Sequence, residues 1–303
     1  MPPPMINLLS RLINFDFCIL EPFILKNKYG EKFRTIRQNR NKSLRMISSN
    51  ITSKSSLDRW EQGQDNLSFN QVLLLLNKLN IRPDELIENG LSEETIQTIR
   101  EIETAYINDD TAYLLKICNK QDEPILSEQD FLKVALACNC YLELTGKNVF
   151  TKINQRRLTN YFYKIENWYY EDIMNFGNTA QLLDSSVIFR ISSNIINYVK
   201  YAELSDKDNY RIIFNTLLNA SYNLLKLDTN LAEKLISRFN IDLIPQKYAF
   251  ERIRYNFMLM LFKYLKDHDD SQIKYELYFL KMNKLDLLYD TLEYAFEQIK
   301  VES

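Results

Sequence analysis

The stretch that decides the fold reads Thr52-Ser53-Lys54-Ser55-Ser56-Leu57-Asp58-Arg59-Trp60-Glu61-Gln62-Gly63. Ser53 or Thr52 can cap the start of a helix, and Gly63 is suited to the left-handed conformation that ends one. Leu57 and Trp60 are three residues apart and predict an inward face, while Lys, Arg and Ser side chains face outward. A short helix with such an outer face is suited to lie in a DNA groove.

Amphipathic segments flank this stretch and complete a helix-turn-helix domain. Ser43 is expected to cap a second helix over Leu44–Asn50, after a first helix that opens near Tyr29. Ser68-Phe69-Asn70-Gln71 predicts a capping box that opens a fourth helix, and Pro83 begins a fifth that ends at Gly90. Five short helices with a tight turn between the second and third make a helix-turn-helix.

Charge is distributed unevenly along the chain. Residues 26–64 hold ten basic and three acidic residues, a net charge of +7, although the whole chain of 303 residues carries −2. The remainder is therefore acidic, at −9. A basic segment on an acidic body indicates one domain that meets a polyanion and one that does not.

Composition indicates an all-α protein of two domains. Only five glycines and seven prolines occur, and four of the glycines lie where helical patterns break. We expect an N-terminal extension of undecided role over 1–25, a helix-turn-helix domain over 26–90 and a helical body over 91–303. The body reads as antiparallel helical hairpins that stack into a right-handed solenoid, although no strict repeat consensus occurs.

The chain resembles the Rgg/GadR/MutR transcriptional regulators, which have a lambda-repressor-like, XRE-type helix-turn-helix. The resemblance rests on 29–37, 52–63 and 73–81, and on Trp168-Tyr169-Tyr170-Glu171 followed by Phe176-Gly177-Asn178. It implies a tetratricopeptide-like body that binds a short signalling peptide, as in quorum sensing. Relatives commonly carry Gln where this chain has Ser56 and Ser where it has Asp58, so the recognised DNA is expected to differ from theirs.

Candidate DNA contacts lie on and before the third helix. Arg59 can contact a guanine or a phosphate, with pairing to Glu61 or Glu31 as the alternative. Backbone phosphates are expected to meet Arg37 and Arg40, which we place on the side of the first helix away from its apolar stripe. The expected DNA-binding residues are Arg37, Arg40, Ser43, Ser53, Lys54, Ser55, Ser56 and Arg59.

Asparagine is the useful residue type for a peptide groove, because its amide both donates to and accepts from an extended backbone. Asn178 matches the family's Phe-x-Asn position, with a helix-end cap as its alternative role. The expected peptide-binding residues are Asn178, Arg190, Asn219, Tyr222 and Asn256.

Other function classes find little support in the sequence. There is no Walker loop, no GxGxxG and no GxSxG, so we expect no enzyme and no cofactor. One histidine and four cysteines without CxxC spacing argue against a metal site, and the apolar run in 1–25 is too short and charged for a membrane span. We expect a cytoplasmic homodimer that binds an inverted-repeat operator and contacts RNA polymerase or another protein. The alternative is a regulator without a peptide ligand, whose body serves dimerisation and protein contacts.

Overall fold

The computed structural model describes residues 28–86, 93–124, 126–201 and 209–302, and these are helical and loop segments without a β-strand. Their contacts divide them into two compact units, with the division between Thr98 and Ile99. The predicted extension over 1–25 and the predicted helix end at Gly90 lie outside the described residues.

The N-terminal unit contains five short helices that surround a small apolar core. The helices are α1 Lys28–Asn39, α2 Leu44–Ser48, α3 Lys54–Glu61, α4 Phe69–Leu79 and α5 Pro83–Leu86. The buried core side chains are Phe33, Ile47, Leu57, Trp60, Leu75, Leu76, Leu79, Ile81 and Leu86. The predicted all-helical helix-turn-helix fold is confirmed.

Local hydrogen bonds explain where these helices begin and end. Ser53 accepts from the Ser56 amide at 3.0 Å and is the N-cap of α3, and Gly63 has a φ of 76° after its end. Ser68 and Gln71 form the predicted capping box of α4. The caps fix the length of α3 at just over two turns.

The second unit begins within α6 and is a larger stack of helices. They are α6 Glu93–Ile107, α7 Thr111–Cys118, α8 Glu128–Thr145, α9 Lys152–Tyr163, α10 Tyr170–Thr179, α11 Ser185–Tyr201, α12 Asn209–Leu227, α13 Thr229–Arg238, α14 Ala249–Asp267, α15 Ser271–Met282 and α16 Asp286–Glu302. Helix α7 was not predicted. Asp110 is its N-cap and accepts from the Tyr113 amide at 2.9 Å.

The helices from α8 onward form two layers. Helices α8, α10, α12, α14 and α16 contact one another in that order, and α9, α11 and α13 lie beside them in the second layer. Tyr222 on α12 donates to the carbonyl of Ala295 on α16 at 3.2 Å, past the intervening α14. The charge of Glu143 on α8 contributes, after burial, to a raised pKa of Tyr294 on α16. The first layer therefore curves, and its concave face brings α8 and α12 towards α16.

Candidate DNA-binding helix and peptide-binding face

The outer face of α3 presents hydroxyl groups and cations at the helix N-terminus. Ser53, Lys54 and Ser55 are exposed, and Ser56 is half-buried. The Ser53 hydroxyl lies 2.9 Å from the hydroxyls of Ser55 and Ser56. Hydroxyl groups and unpaired amides at the positive end of a helix are suited to contact phosphates and base edges.

Arg59 extends from the same helix one turn later. Its side chain is 59% exposed, and its Nε lies 3.8 Å from Oδ2 of Asp65. Neither Glu61 nor Glu31, the expected alternatives, is the carboxylate in this long pair. An exposed pair at that distance contributes at most about 1 kcal/mol, so an incoming base or phosphate can displace it.

Arg37 does not have the predicted position. Its side chain is buried, with Nε and Nη2 both 2.6 Å from the two carboxylate oxygens of Glu61, and Nη1 donates to the Lys42 carbonyl at 2.7 Å. The hydrogen bonds to Glu61 and the nearby charge of Asp58 raise the pKa of Arg37. The guanidinium joins α1 to the end of α3, so the predicted phosphate contact is wrong.

Arg40 and Ser43 are occupied within the unit as well. Nη1 of Arg40 donates to the carbonyls of Leu79 and Asn80 at the end of α4. The Ser43 hydroxyl accepts from the Met46 amide at 3.2 Å and is the N-cap of α2, as predicted. Both side chains remain exposed, so phosphate contact by either stays a prediction.

Gly30 is a positioning residue that the sequence analysis missed. A Cβ atom on Gly30 would lie 2.0 Å from the carbonyl oxygen of Trp60, so α1 approaches α3 more closely than any other residue allows. The rings of Phe33 and Trp60 lie 5.2 Å apart beside this contact. Together with the Arg37–Glu61 pair, these contacts hold the last turn of α3 and therefore Arg59.

Two of the predicted peptide-binding residues lie together on the concave face. Asn215, Asn219 and Tyr222 follow one another at helical spacing on α12, on the side that Tyr222 directs towards α16. Arg254 of α14 donates to Oδ1 of Asn215 at 2.6 Å and to Oδ1 of Asn219 at 2.9 Å. The predicted residues Asn219 and Tyr222 thus belong to a polar face that also contains Arg254, which was not predicted.

Asn178 lies at the end of α10, the helix that packs against α12. It is buried, as is the Phe176 ring, which lies 6.5 Å from the Trp168 ring and 5.5 Å from the Phe162 ring. The Trp168 and Phe176 side chains of the family-like segment therefore have a packing role. They fix α10, which carries Asn178, against the neighbouring helices, α12 among them.

Arg190 and Asn256 are not brought to this face. Arg190 lies on α11 in the second layer, where its guanidinium stacks 4.4 Å above the Tyr163 ring. Asn256 is exposed and stands two residues after Arg254, which directs it to the opposite side of α14. Neither residue therefore shares the face that contains Asn219, and peptide contact by either stays a prediction.

No helix in the described part of the chain is long and apolar enough to cross a membrane.

Comparisons with known proteins identify related families and folds. The family model of the HTH-type transcriptional regulator Rgg, C-terminal domain, matches residues 111–298, and a helix-turn-helix family model matches 33–86. Among curated proteins, none matches the chain.

Solved structures show the same fold at low identity. The SHP pheromone receptor Rgg2 of Streptococcus dysgalactiae is similar with a TM-score of 0.72 and 20% identity, over 89% of this chain and 99% of that one. A PrgX/cCF10 complex is similar with a TM-score of 0.70 and 18% identity, over 91% and 93%. A bacterial peptide pheromone/receptor complex is similar with a TM-score of 0.69 and 18% identity, over 90% and 98%.

Proposed function

Since the chain belongs to the Rgg family of HTH-type transcriptional regulators, we propose that it is a cytoplasmic homodimer that reads an inverted-repeat operator through α3 and senses a short signalling peptide in its helical body. DNA binding is supported by the exposed hydroxyl groups and cations on the outer face of α3. The polar concave face of α12 carries the peptide part. Contact with RNA polymerase completes the proposed regulation.

DNA recognition is assigned to the exposed N-terminal half of α3 and to Arg59. Lys54 and the hydroxyls of Ser53, Ser55 and Ser56 fix the helix against phosphates and base edges, and Arg59 donates two parallel hydrogen bonds to a guanine. Asp58 is half-buried, and its charge acts on Arg37, which is already paired with Glu61.

A selection from random DNA duplexes supplies the operator, and footprinting of variants tests the assignment. Arg59→Ala should lose sequence-specific protection by roughly 10- to 100-fold, the loss of one bidentate base contact, while the helical circular dichroism stays unchanged. Lys152→Ala is the matched control, because Lys152 is also an exposed cation with a long ion pair, at 3.9 Å to Asp184. Unchanged footprints for Arg59→Ala would reject α3 as the reading helix.

Peptide sensing is supported by the concave face and by what similar structures bind. Pheromone receptors and a PrgX/cCF10 complex share this fold. Amide side chains such as Asn178 and Asn219 hold an extended peptide through its backbone without demanding particular side chains. An extended peptide along the first layer would meet both.

Titration of fluorescent hydrophobic peptides, taken from small reading frames beside the gene, tests this part on the full chain by anisotropy. Asn219→Ala should weaken binding by about tenfold through the loss of a buried hydrogen bond, whereas Asn256→Ala, on the opposite side of α14, should leave it unchanged. Equal losses in both variants would contradict the assigned face.

The homodimer proposal has its support in α15. Tyr275, Tyr278, Phe279 and Met282 are exposed and follow one another along one side of that helix. An apolar side of this kind is suited to pack against a second copy. It also favours the second candidate function, a regulator without a peptide ligand whose body serves protein contacts. Light scattering measures the molar mass of the Tyr275→Glu variant. A monomer is expected if α15 packs against a second copy, and an unchanged dimer would leave this side of α15 for another protein.

A further inference from the structure

Arg254 is a buried cation whose hydrogen-bond partners are neutral. Arg254 is 7% exposed, and its guanidinium donates hydrogen bonds to the side-chain oxygens of Asn215 and Asn219. Burial lowers the pKa of Arg254 to about 10. Buried charges in proteins are ordinarily paired with an opposite charge or a metal, because removal from water is costly.

The nearest carboxylate is engaged elsewhere. Glu251, one turn before Arg254, favours the charge of Arg254, but its Oε1 accepts from Nε of Arg211 at 3.1 Å. The positive charge of Arg211 acts against that of Arg254. The guanidinium of Arg254 therefore donates hydrogen bonds only to neutral side chains. It lies in the protein interior, where the low dielectric strengthens a hydrogen bond to a charged group.

The cluster lies where a ligand of the concave face would pass. Asn215, Asn219 and Tyr222 share one side of α12, and the side chain of Arg211 is 49% exposed. The Asn219 side chain is half-buried, so the cluster extends from the buried guanidinium to the surface. A ligand group can approach Arg254 along Asn219 and Arg211.

We propose that Arg254 receives a carboxylate of the signalling peptide, while Asn215 and Asn219 hold the guanidinium in the orientation that accepts it. The inference rests on the proposed peptide sensing and adds a chemical requirement to it. A planar guanidinium binds a carboxylate through two parallel hydrogen bonds, which a neutral amide cannot match. The carboxylate is either the peptide's C-terminus or an Asp or Glu side chain.

A simple tie between α12 and α14 is the competing role for Arg254. Such a tie requires hydrogen-bond donors and no positive charge, so Arg254→Gln should satisfy it through its own side-chain amide. A carboxylate receptor requires the charge, so Arg254→Lys should restore part of the function that Arg254→Gln loses. The two roles therefore predict different variants to be active.

The test uses synthetic heptapeptides with randomised apolar positions, prepared as three pools. One pool has free C-terminal carboxylates, one has C-terminal amides, and one has amides with a single internal Asp. Each pool is offered to the full chain, to Arg254→Gln, to Arg254→Lys and to the control Lys263→Met, a surface cation on the same helix. Bound peptides are measured by native mass spectrometry.

We expect one of the two carboxylate pools to bind about 10- to 100-fold more tightly than the plain amides, the range of a hydrogen bond to a charged group. Which pool is preferred identifies the source of the carboxylate. Arg254→Gln should remove the preference, Arg254→Lys should restore part of it, and Lys263→Met should keep it.

Two results would overturn the inference in distinguishable ways. If all three pools bind equally to the full chain, or if Arg254→Gln keeps the preference, the carboxylate receptor is rejected and peptide sensing stands. If no pool binds to any form of the chain, peptide sensing itself is rejected, and the role of Arg254 falls with it.

Discussion

The buried Arg37–Glu61 pair gives the sharpest prediction for the stability of the DNA-binding unit. Its two hydrogen bonds of 2.6 Å join α1 to the last residue of α3, and both side chains are almost fully buried. Removal of one partner leaves the other charge buried and uncompensated, which costs about 3–5 kcal/mol. Glu61→Ala and Arg37→Met should each destabilise the unit by that amount.

The double variant Arg37→Met/Glu61→Leu separates the ion pair from the packing around it. An apolar pair of similar volume is often neutral or stabilising compared with a buried ion pair, so the double variant should recover most of the loss. Urea unfolding is followed by the fluorescence of the buried Trp60, in a Trp168→Phe background that removes the other tryptophan.

The same variants test the position of Arg37 relative to DNA. Each phosphate contact contributes about −0.9 to the slope of log affinity against log salt. The stable double variant should therefore keep the salt slope of the wild type, since Arg37 contacts no phosphate. If Glu61→Ala loses less than about 1 kcal/mol of unfolding free energy, the Arg37–Glu61 pair is not a buried pair of the expected strength. If the salt slope of the double variant falls by about one, Arg37 does contact a phosphate.

Three further predictions concern single positions. Gly30→Ala places a Cβ atom 2.0 Å from the Trp60 carbonyl oxygen, so it should destabilise the N-terminal unit by about 2 kcal/mol or more, and an unchanged urea midpoint would contradict that close contact. Asp110→Ala removes the N-cap of α7 and should cost about 1 kcal/mol, seen as faster hydrogen exchange in that helix but not elsewhere in the body. Burial raises the pKa of the Cys140 thiol, and Cys118 and Cys138 are buried as well, so in a Cys18→Ser background Ellman's reagent at pH 8 should label the chain only after unfolding; rapid labelling of the native chain would show that one of the three thiols is accessible.

The start of α4 and the limits of α3 could be predicted because they depend on neighbouring residues. Ser53, Gly63 and the Ser68–Gln71 box act through hydrogen bonds or backbone angles within a few residues. Helix α7 escaped prediction because only a short turn separates it from α6. The available signal was Asp110, a residue type that commonly caps the start of a helix.

The position of Arg37 was within reach of the sequence. Arg37 stands four residues after Phe33 and therefore shares the inward face of α1, although we had placed it with Arg40 on the opposite side. A buried arginine needs a carboxylate, and Glu61 follows the inward-facing Trp60.

The concave face could not be derived from local patterns. Arg254 meets Asn215 and Asn219 across about forty intervening residues, so neither helical periodicity nor capping rules relate them. Local patterns likewise could not predict that Asn256 and Asn219 lie on different faces. Only the packing of α12 against α14 decides which polar side chains share a face.

The central claim is that one chain joins a peptide-sensing body to a DNA-reading helix, and the most direct test is operator affinity measured with and without a saturating peptide. We expect a shift of at least about fivefold, and by linkage operator DNA must change peptide affinity by the same factor. An operator affinity that stays the same while the peptide is demonstrably bound would contradict the claim.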